Sequence, residues 1–204
     1  RELFASKREA YRQQISGLQA TLDRIERRIT NLDLCQEAPA SLAGFAQTIE
    51  LKRLPDRKVV FTRKHSASFP DELSRRFSEL ERLAEEQGLS CIDARMAVYH
   101  DFHLEHDPSN CDLEVCMSLA TEEASSPALR TIPGGLFVTG IYRGEYRGQC
   151  RYLLDWIRQN GLSLRGPGIE IYVNSFMHTR FPRNYLTEVQ FPVSDLPGNE
   201  PFPG

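Results

Sequence analysis

From about Thr48 onward the sequence repeats itself, and no other feature narrows the possible folds so far. Leu51-Lys52-Arg53-Leu54-Pro55 is echoed by Leu129-Arg130-Thr131-Ile132-Pro133, and each echo leads into a β-rich run, Val59-Val60-Phe61-Thr62 and Leu136-Phe137-Val138-Thr139. A helical stretch follows in each copy, residues 71–87 and 149–160, and each stops at a Gly-Leu, Gly88-Leu89 and Gly161-Leu162. Glycine is a common residue just past a helix end. A strand comes next, Met96-Ala97-Val98-Tyr99 against Glu170-Ile171-Tyr172, aligned so that Val98 meets Ile171 and Tyr99 meets Tyr172. A last strand closes each copy, Leu113-Glu114-Val115-Cys116 answered by Thr187-Glu188-Val189-Gln190. A strand, helix, strand, strand unit present twice predicts an α+β domain over residues 48–193. Its antiparallel sheet carries helices on one face and offers a cleft where the halves meet.

Composition sets the outer bounds. At 204 residues and 40% hydrophobic, the chain has enough apolar material for one domain of ordinary size plus an appendage. A net charge of −3 with scattered Lys and Arg lacks the basic footprint of a module that grips nucleic acid. The sequence shows no signal peptide and no apolar run of membrane length. Its five cysteines, Cys35, Cys91, Cys111, Cys116 and Cys150, are odd in number and form no CxxC pair, which favours reduced thiols in a cytoplasm.

The first 35 residues follow a different period. Tyr11, Ile15, Leu18, Leu22, Ile25, Ile29 and Leu32 are spaced by alternating steps of four and three, with polar residues between them. This is a heptad seam, and a narrow a/d stripe is buried by pairing with another helix. The expectation is a long helix over residues 1–35 that forms a coiled coil with a partner chain, packing against its own domain being the other possibility. Ala38-Pro39-Ala40-Ser41 then reads as a hinge, with room for a short helical turn from Leu42 to Ala46. Residues 194–204, rich in Pro, Gly and acid, read as a flexible tail.

The copies differ most usefully in Gly166-Pro167-Gly168-Ile169-Glu170-Ile171-Tyr172. Ile169, Ile171 and Val173 alternate as one apolar strand face, which leaves Glu170 beside Tyr172 on the other. Its counterpart in the first copy is Ala97, so the fold does not require a carboxylate there. Spacing alone leaves open a solvated sheet face or a pocket. The second copy is also rich in aromatics, including Tyr142, Tyr146, Tyr152, Trp156, Tyr172, Phe176, Phe181 and Tyr185. Tyrosine hydroxyls can hydrogen-bond a carboxylate while ring faces receive an organic cation, at roughly 0.5–2 kcal/mol per good contact.

Two other groups of ionisable side chains stand out in the sequence. Glu114 and Glu188 occupy equivalent positions, and that symmetry assigns both to the fold or the sheet surface. His103, His106 and Cys111, with nearby carboxylates, could hold Zn²⁺, but their spacing fits no usual ligand pattern and Asp107-Pro108-Ser109-Asn110 is ordinary loop chemistry. No metal and no cofactor are expected.

The heptad helix with Tyr11-Arg-Gln-Gln-Ile15-Ser-Gly-Leu18, the Tyr142-x-Gly144-x-Tyr146 turn, Gly166-Pro-x-Ile169-Glu170-x-Tyr172 and the closing Thr187-Glu188-Val189-Gln190-Phe191-Pro192-Val193 together resemble MerR-type multidrug-responsive transcription activators. The resemblance covers the dimerisation helix and the GyrI-like effector-binding domain. It implies an antiparallel coiled coil between two subunits and a strand glutamate with surrounding aromatics that binds lipophilic cations. Carried over by motif, these are Glu170, Tyr146 and Tyr185, with Tyr99 and Tyr172 as further members. The family's winged-helix DNA-binding domain has no counterpart in these residues, so the chain looks like part of a longer regulator. The expected function is a cytoplasmic, homodimeric sensor region and not an enzyme. The competing class is a GyrI-like hydrolase in which Glu170 and Tyr146 form a catalytic pair.

Overall fold

The computed structural model describes residues 40–101, 108–120, 126–145 and 148–194, together with Lys7, Arg8, Tyr11, Arg12, Ile15, Gln19, Leu22 and Glu26. The chain divides into two compact units, Arg1–Glu37 and Ala38–Gly204. In the first, all eight described positions are helical, and Tyr11, Ile15 and Leu22 of the seam are exposed. Leu18, Ile25, Ile29 and Leu32 lie outside the described residues, as do 195–204 of the tail.

The second unit is a mixed α/β structure built on a large antiparallel sheet. Its elements are α1 (Leu42–Gln47), β1 (Glu50–Leu54), β2 (Arg57–Ser66), α2 (Pro70–Glu86), β3 (Cys91–Tyr99), β4 (Cys111–Leu119), β5 (Leu129–Ile132), β6 (Gly135–Arg143), α3 (Gln149–Gln159), β7 (Ser163–Leu164), β8 (Gly168–Asn174) and β9 (Leu186–Ser194). The strand order is β1-β6-β9-β8-β3-β4-β2-β5, with β7 pairing the far end of β9. Each repeat thus supplies three adjacent strands, and the two meet at β3 and β8, where Ala97 pairs with Glu170 and Val98 with Ile169.

The repeat predicts those blocks but not what happens at their edges. β1 leads into β2 yet pairs with β6 of the other repeat, and β5 leads into β6 yet pairs with β2. The leading strands are exchanged. Only two residues join β1 to β2 and β5 to β6, so the opposite edges of the sheet come within about 10 Å there and the sheet curls on itself. The two links cross in contact. Gly134 donates its N–H to Asp56 Oδ1 at 2.7 Å, and a Cβ on Gly134 would sit 2.5 Å from the Leu54 carbonyl oxygen and 2.6 Å from the Pro55 carbonyl carbon.

Both repeat helices cover the same face. Leu73, Phe77, Leu80 and Ala84 of α2 recur every three to four residues and bury against Val60, Ala97, Leu113, Val115 and Met117. Leu153, Leu154 and Ile157 of α3 do the same against Val138, Val189, Phe191 and Val193. Each of the larger of these apolar side chains gains about 1.5–3 kcal/mol from burial. The Gly-Leu endings act as predicted. Gly88 and Gly161 take φ of 65° and 70°, and the following leucines return their N–H groups to the Ala84 and Ile157 carbonyls at 2.9 and 3.1 Å. Arg76 of α2 is fully buried and donates to Ser66 Oγ and the Leu113 and Thr62 carbonyls, each at 2.9 Å, which pins the helix to β2 and β4. The inward face of the curl has its own core of Val59, Met96, Val98, Cys116, Ile132, Phe137 and Ile169.

Candidate functional site

Strand alternation decides where Glu170 points. Ile169 belongs to the inner core of the curl and Ile171 packs against it, so Glu170 and Tyr172 project from the opposite, helix-covered face. The solvated-face alternative is thereby set aside: the carboxylate is half-buried between the two helices. Ala97 and Tyr99 of β3 share that face, which brings Tyr99 beside Glu170 from the other repeat.

Tyr172, Tyr99 and Cys150 converge on the carboxylate. Tyr172 donates its hydroxyl to Oε2 at 2.9 Å, Tyr99 donates to the same oxygen at 3.3 Å, and the Cys150 thiol of α3 donates to Oε1 at 3.3 Å. The two phenol oxygens are themselves 3.3 Å apart. Burial, reinforced by the Glu170 charge, pushes the Tyr99 phenol and the Cys150 thiol well above their ordinary ranges. Both therefore stay protonated at neutral pH and serve as donors.

These groups form one wall of a cavity of about 440 Å³. Ser68, Phe69 and Pro70 at the start of α2 and Gly148, Gln149, Cys150 and Arg151 at the start of α3 line it, so both helix N-termini open onto it. Neither N-cap makes a side-chain hydrogen bond. The partial positive charge at each helix start offsets part of the cost of holding a carboxylate away from bulk water. Leu73, Leu154, Pro108 and Phe176 supply apolar lining, and Phe69 is 52% exposed at the rim.

The sequence-predicted residues separate into three groups. Glu170, Tyr172 and Tyr99 meet at the cavity wall. Tyr185 does not line it. It is buried one ring behind, its centroid 6.4 Å from that of Phe176, which in turn lies 5.8 Å from Tyr172. Tyr146 lies outside the described residues. Cys150 and Phe176 are the members the prediction did not choose. Phe176 was visible as one more aromatic of the second copy, whereas no spacing rule marks a cysteine in the first turn of a helix as a carboxylate's donor.

Glu114 serves the fold and Glu188 the sheet surface, two different environments at equivalent positions. Glu114 is 1% exposed on the inner face of the curl, where Arg130 Nη2 lies 2.6 Å from Oε1 and His100 Nε2 lies 3.0 Å from Oε2. Glu188 is only half-buried and accepts from Gln190 at 2.9 Å. Glu114 is a buried ion-pair member, remote in role from the cavity. His103 and His106 lie outside the described residues, and Cys111 is core in β4. Among the described residues no helix is long and apolar enough to cross a membrane.

The fold recurs in solved structures. The C-terminal domain of EcmrR superimposes with a TM-score of 0.63 at 24% identity, covering 72% of this chain and 98% of that one. EcmrR in its complex with DNA gives 0.63 at 22% identity over 96% of this chain and 73% of that one. A hydrolase from Listeria innocua gives 0.53 at 12% identity, covering 72% and 92%. No protein with a curated description matches the chain. Residues 47–194, the whole of the repeated region with its cavity, match the GyrI-like small molecule binding domain, and the chain belongs to that family.

Proposed function

We propose that this chain is the effector-sensing region of a MerR-type transcriptional regulator, and that its cavity takes up a lipophilic organic cation with Glu170 as the charge partner. The observation that carries this reading is the Glu170 carboxylate, hydrogen-bonded by Tyr172, Tyr99 and Cys150, on the wall of a 440 Å³ cavity edged with aromatic rings. A carboxylate in such a place costs several kcal/mol unless compensated. Tyr172, Tyr99 and Cys150 hold it in position, and a guest cation stacked on Tyr172 and Phe176 adds its own charge to that compensation. Membership of the small-molecule-binding family and likeness to EcmrR support the sensor assignment. A ligand shifts an equilibrium only by binding one arrangement better than another. In this reading the guest favours one arrangement of a homodimer joined through Tyr11, Ile15, Leu18, Leu22, Ile25, Ile29 and Leu32, and DNA is contacted by a separate domain.

Calorimetric titration with tetraphenylphosphonium, parent against Glu170→Gln, tests the assignment. The parent binds, and the variant binds at least about tenfold more weakly, a loss of about 1.4 kcal/mol. Equal binding by both, or binding by neither, removes the cation reading.

A second reading is kept because a Listeria innocua hydrolase shares the fold. There Glu170 would act as a general base, with Tyr146 in support. Its signature is turnover: a bound ester or related electrophile released as product by the parent and not by Glu170→Gln.

A further inference from the structure

We propose that the effector cavity has a second subsite, closed off by the Phe176 ring, in which the Thr187 hydroxyl makes a hydrogen bond to a polar arm of the guest. The inference rests on the effector reading above and deepens it, by specifying a lipophilic cation that carries a hydroxyl or amide on the side away from its charge.

Thr187 is 3% exposed, and its Oγ1 finds no hydrogen-bond partner among the described residues. Buried hydroxyls are normally paired, since leaving one unpaired costs about 1–3 kcal/mol. Val189, Phe191 and Val193 of β9 pack under α3, so strand alternation puts Thr187 on the same helix-covered face as the cavity. Its cross-strand neighbours are Tyr172 on one side and Tyr142 on the other. Tyr185 precedes it by two residues on extended backbone and is buried.

Phe176 contacts both flanking rings, with centroids 5.8 Å from Tyr172 and 6.4 Å from Tyr185, each edge-on. Phe176 thus bridges the two tyrosines that flank Thr187 across the ladder and along the chain. The same Phe176 lines the cavity. The unpaired hydroxyl therefore stands next to Tyr172 of the cavity wall in the ladder, with the Tyr142 ring as its other cross-strand neighbour. Phe176 sits in the turn after β8 and is only half-buried, so in this proposal its rotation, without movement of the sheet, is what admits the guest arm towards Thr187.

The test uses a matched pair of probes, tetraphenylphosphonium and (4-hydroxyphenyl)triphenylphosphonium, which differ by one hydroxyl. The parent is expected to prefer the hydroxylated probe by roughly tenfold, the net value of one well-made hydrogen bond. Thr187→Val removes the hydroxyl at nearly constant shape. It is expected to abolish the preference, keep the affinity for the plain probe, and leave the melting temperature unchanged or higher. Phe176→Ala, which clears the covering ring, is expected to keep or increase the preference. A clear fall in melting temperature for Thr187→Val would mean the hydroxyl is already satisfied in the folded chain and overturns the proposal. So does a preference that survives Thr187→Val or disappears in Phe176→Ala. If the plain probe binds in a Glu170-dependent way and the added hydroxyl makes no difference, the subsite alone fails. If neither probe binds the parent, the cation reading fails first and takes the subsite with it.

Discussion

Ala97 and Glu170 face each other across the β3–β8 ladder and are also each other's counterparts in the two repeats. An antiparallel pair whose members are equivalent lies on the two-fold operation that exchanges the repeats. The carboxylate thus stands at the centre of the cleft, and an alanine occupies the related place. One charge fits there where two would not.

Replacing that alanine makes the point measurable. Cβ atoms directly opposite in a ladder are about 5 Å apart, so Ala97→Glu sets a second carboxylate against the first at a position that is 0% exposed. The variant is expected to lose about 2 kcal/mol or more at neutral pH, with part of the loss recovered as acid neutralises the pair. Urea unfolding at neutral and mildly acidic pH reads both effects, and a loss that does not change with pH would assign the damage to crowding alone.

Stability should fall on the alkaline side for identifiable reasons. Burial holds the Cys150 and Cys116 thiols and the Tyr99 phenol above their ordinary values of 9.0 and 10.0. An acid whose folded pKa is raised stays protonated in the folded chain while the unfolded chain ionises, so its contribution is complete below the unfolded pKa and is lost as pH rises beyond it. Denaturation midpoints are expected to decline from about pH 9 upward. Tyr99→Phe should decline less steeply above about pH 10. Equal slopes would mean that the phenol ionises as easily in the folded chain.

The crossing of the two edge links is a tight spot of another kind. A Cβ on Gly134 would meet backbone atoms of Leu54, Pro55 and Asp56 at 2.5–2.7 Å, and backbone cannot swing aside as a side chain can. Gly134→Ala is expected to cost about 1–3 kcal/mol. A thermal melt indistinguishable from the parent would show that the crossing yields.

The heptad seam gives the fourth expectation. If Ile15 and Leu22 bury against a partner helix, then Leu22→Lys places an ammonium in that seam and should convert a dimer to a monomer by sedimentation equilibrium. A parent that already sediments as a monomer would retire the coiled coil.

Much of the fold was legible because it was written twice. The Gly-Leu helix endings and the apolar spacing of α2 and α3 are local rules, and both copies obey them. The exchange of β1 and β5 was not legible: hydrophobic alternation says that a strand exists but not which neighbour it joins, and pairing partners far apart in sequence leave no local mark. For the site, Glu170 stood out because its counterpart is alanine, and Tyr172 and Tyr99 follow from it by period and register. Tyr185 follows from the motif, and its position one ring behind Phe176 is a matter of tertiary packing that no motif conveys. Cys150 escaped because its role depends on α3 starting beside β8, which is a tertiary fact. Glu114 and Glu188 share a strand position but not an environment, since only Glu114 has Arg130 and His100 within reach.

The exchanged strands also constrain how the protein can move. Because each half is stitched into the far border of the other, the halves cannot part like the covers of a book without tearing ladder hydrogen bonds at both margins. With α2 pinned to β2 and β4 by Arg76, what remains is rotation of rings such as Phe176 and Phe69. In the proposed reading, variation in guest size is then absorbed by the lining rather than by a hinge between the halves.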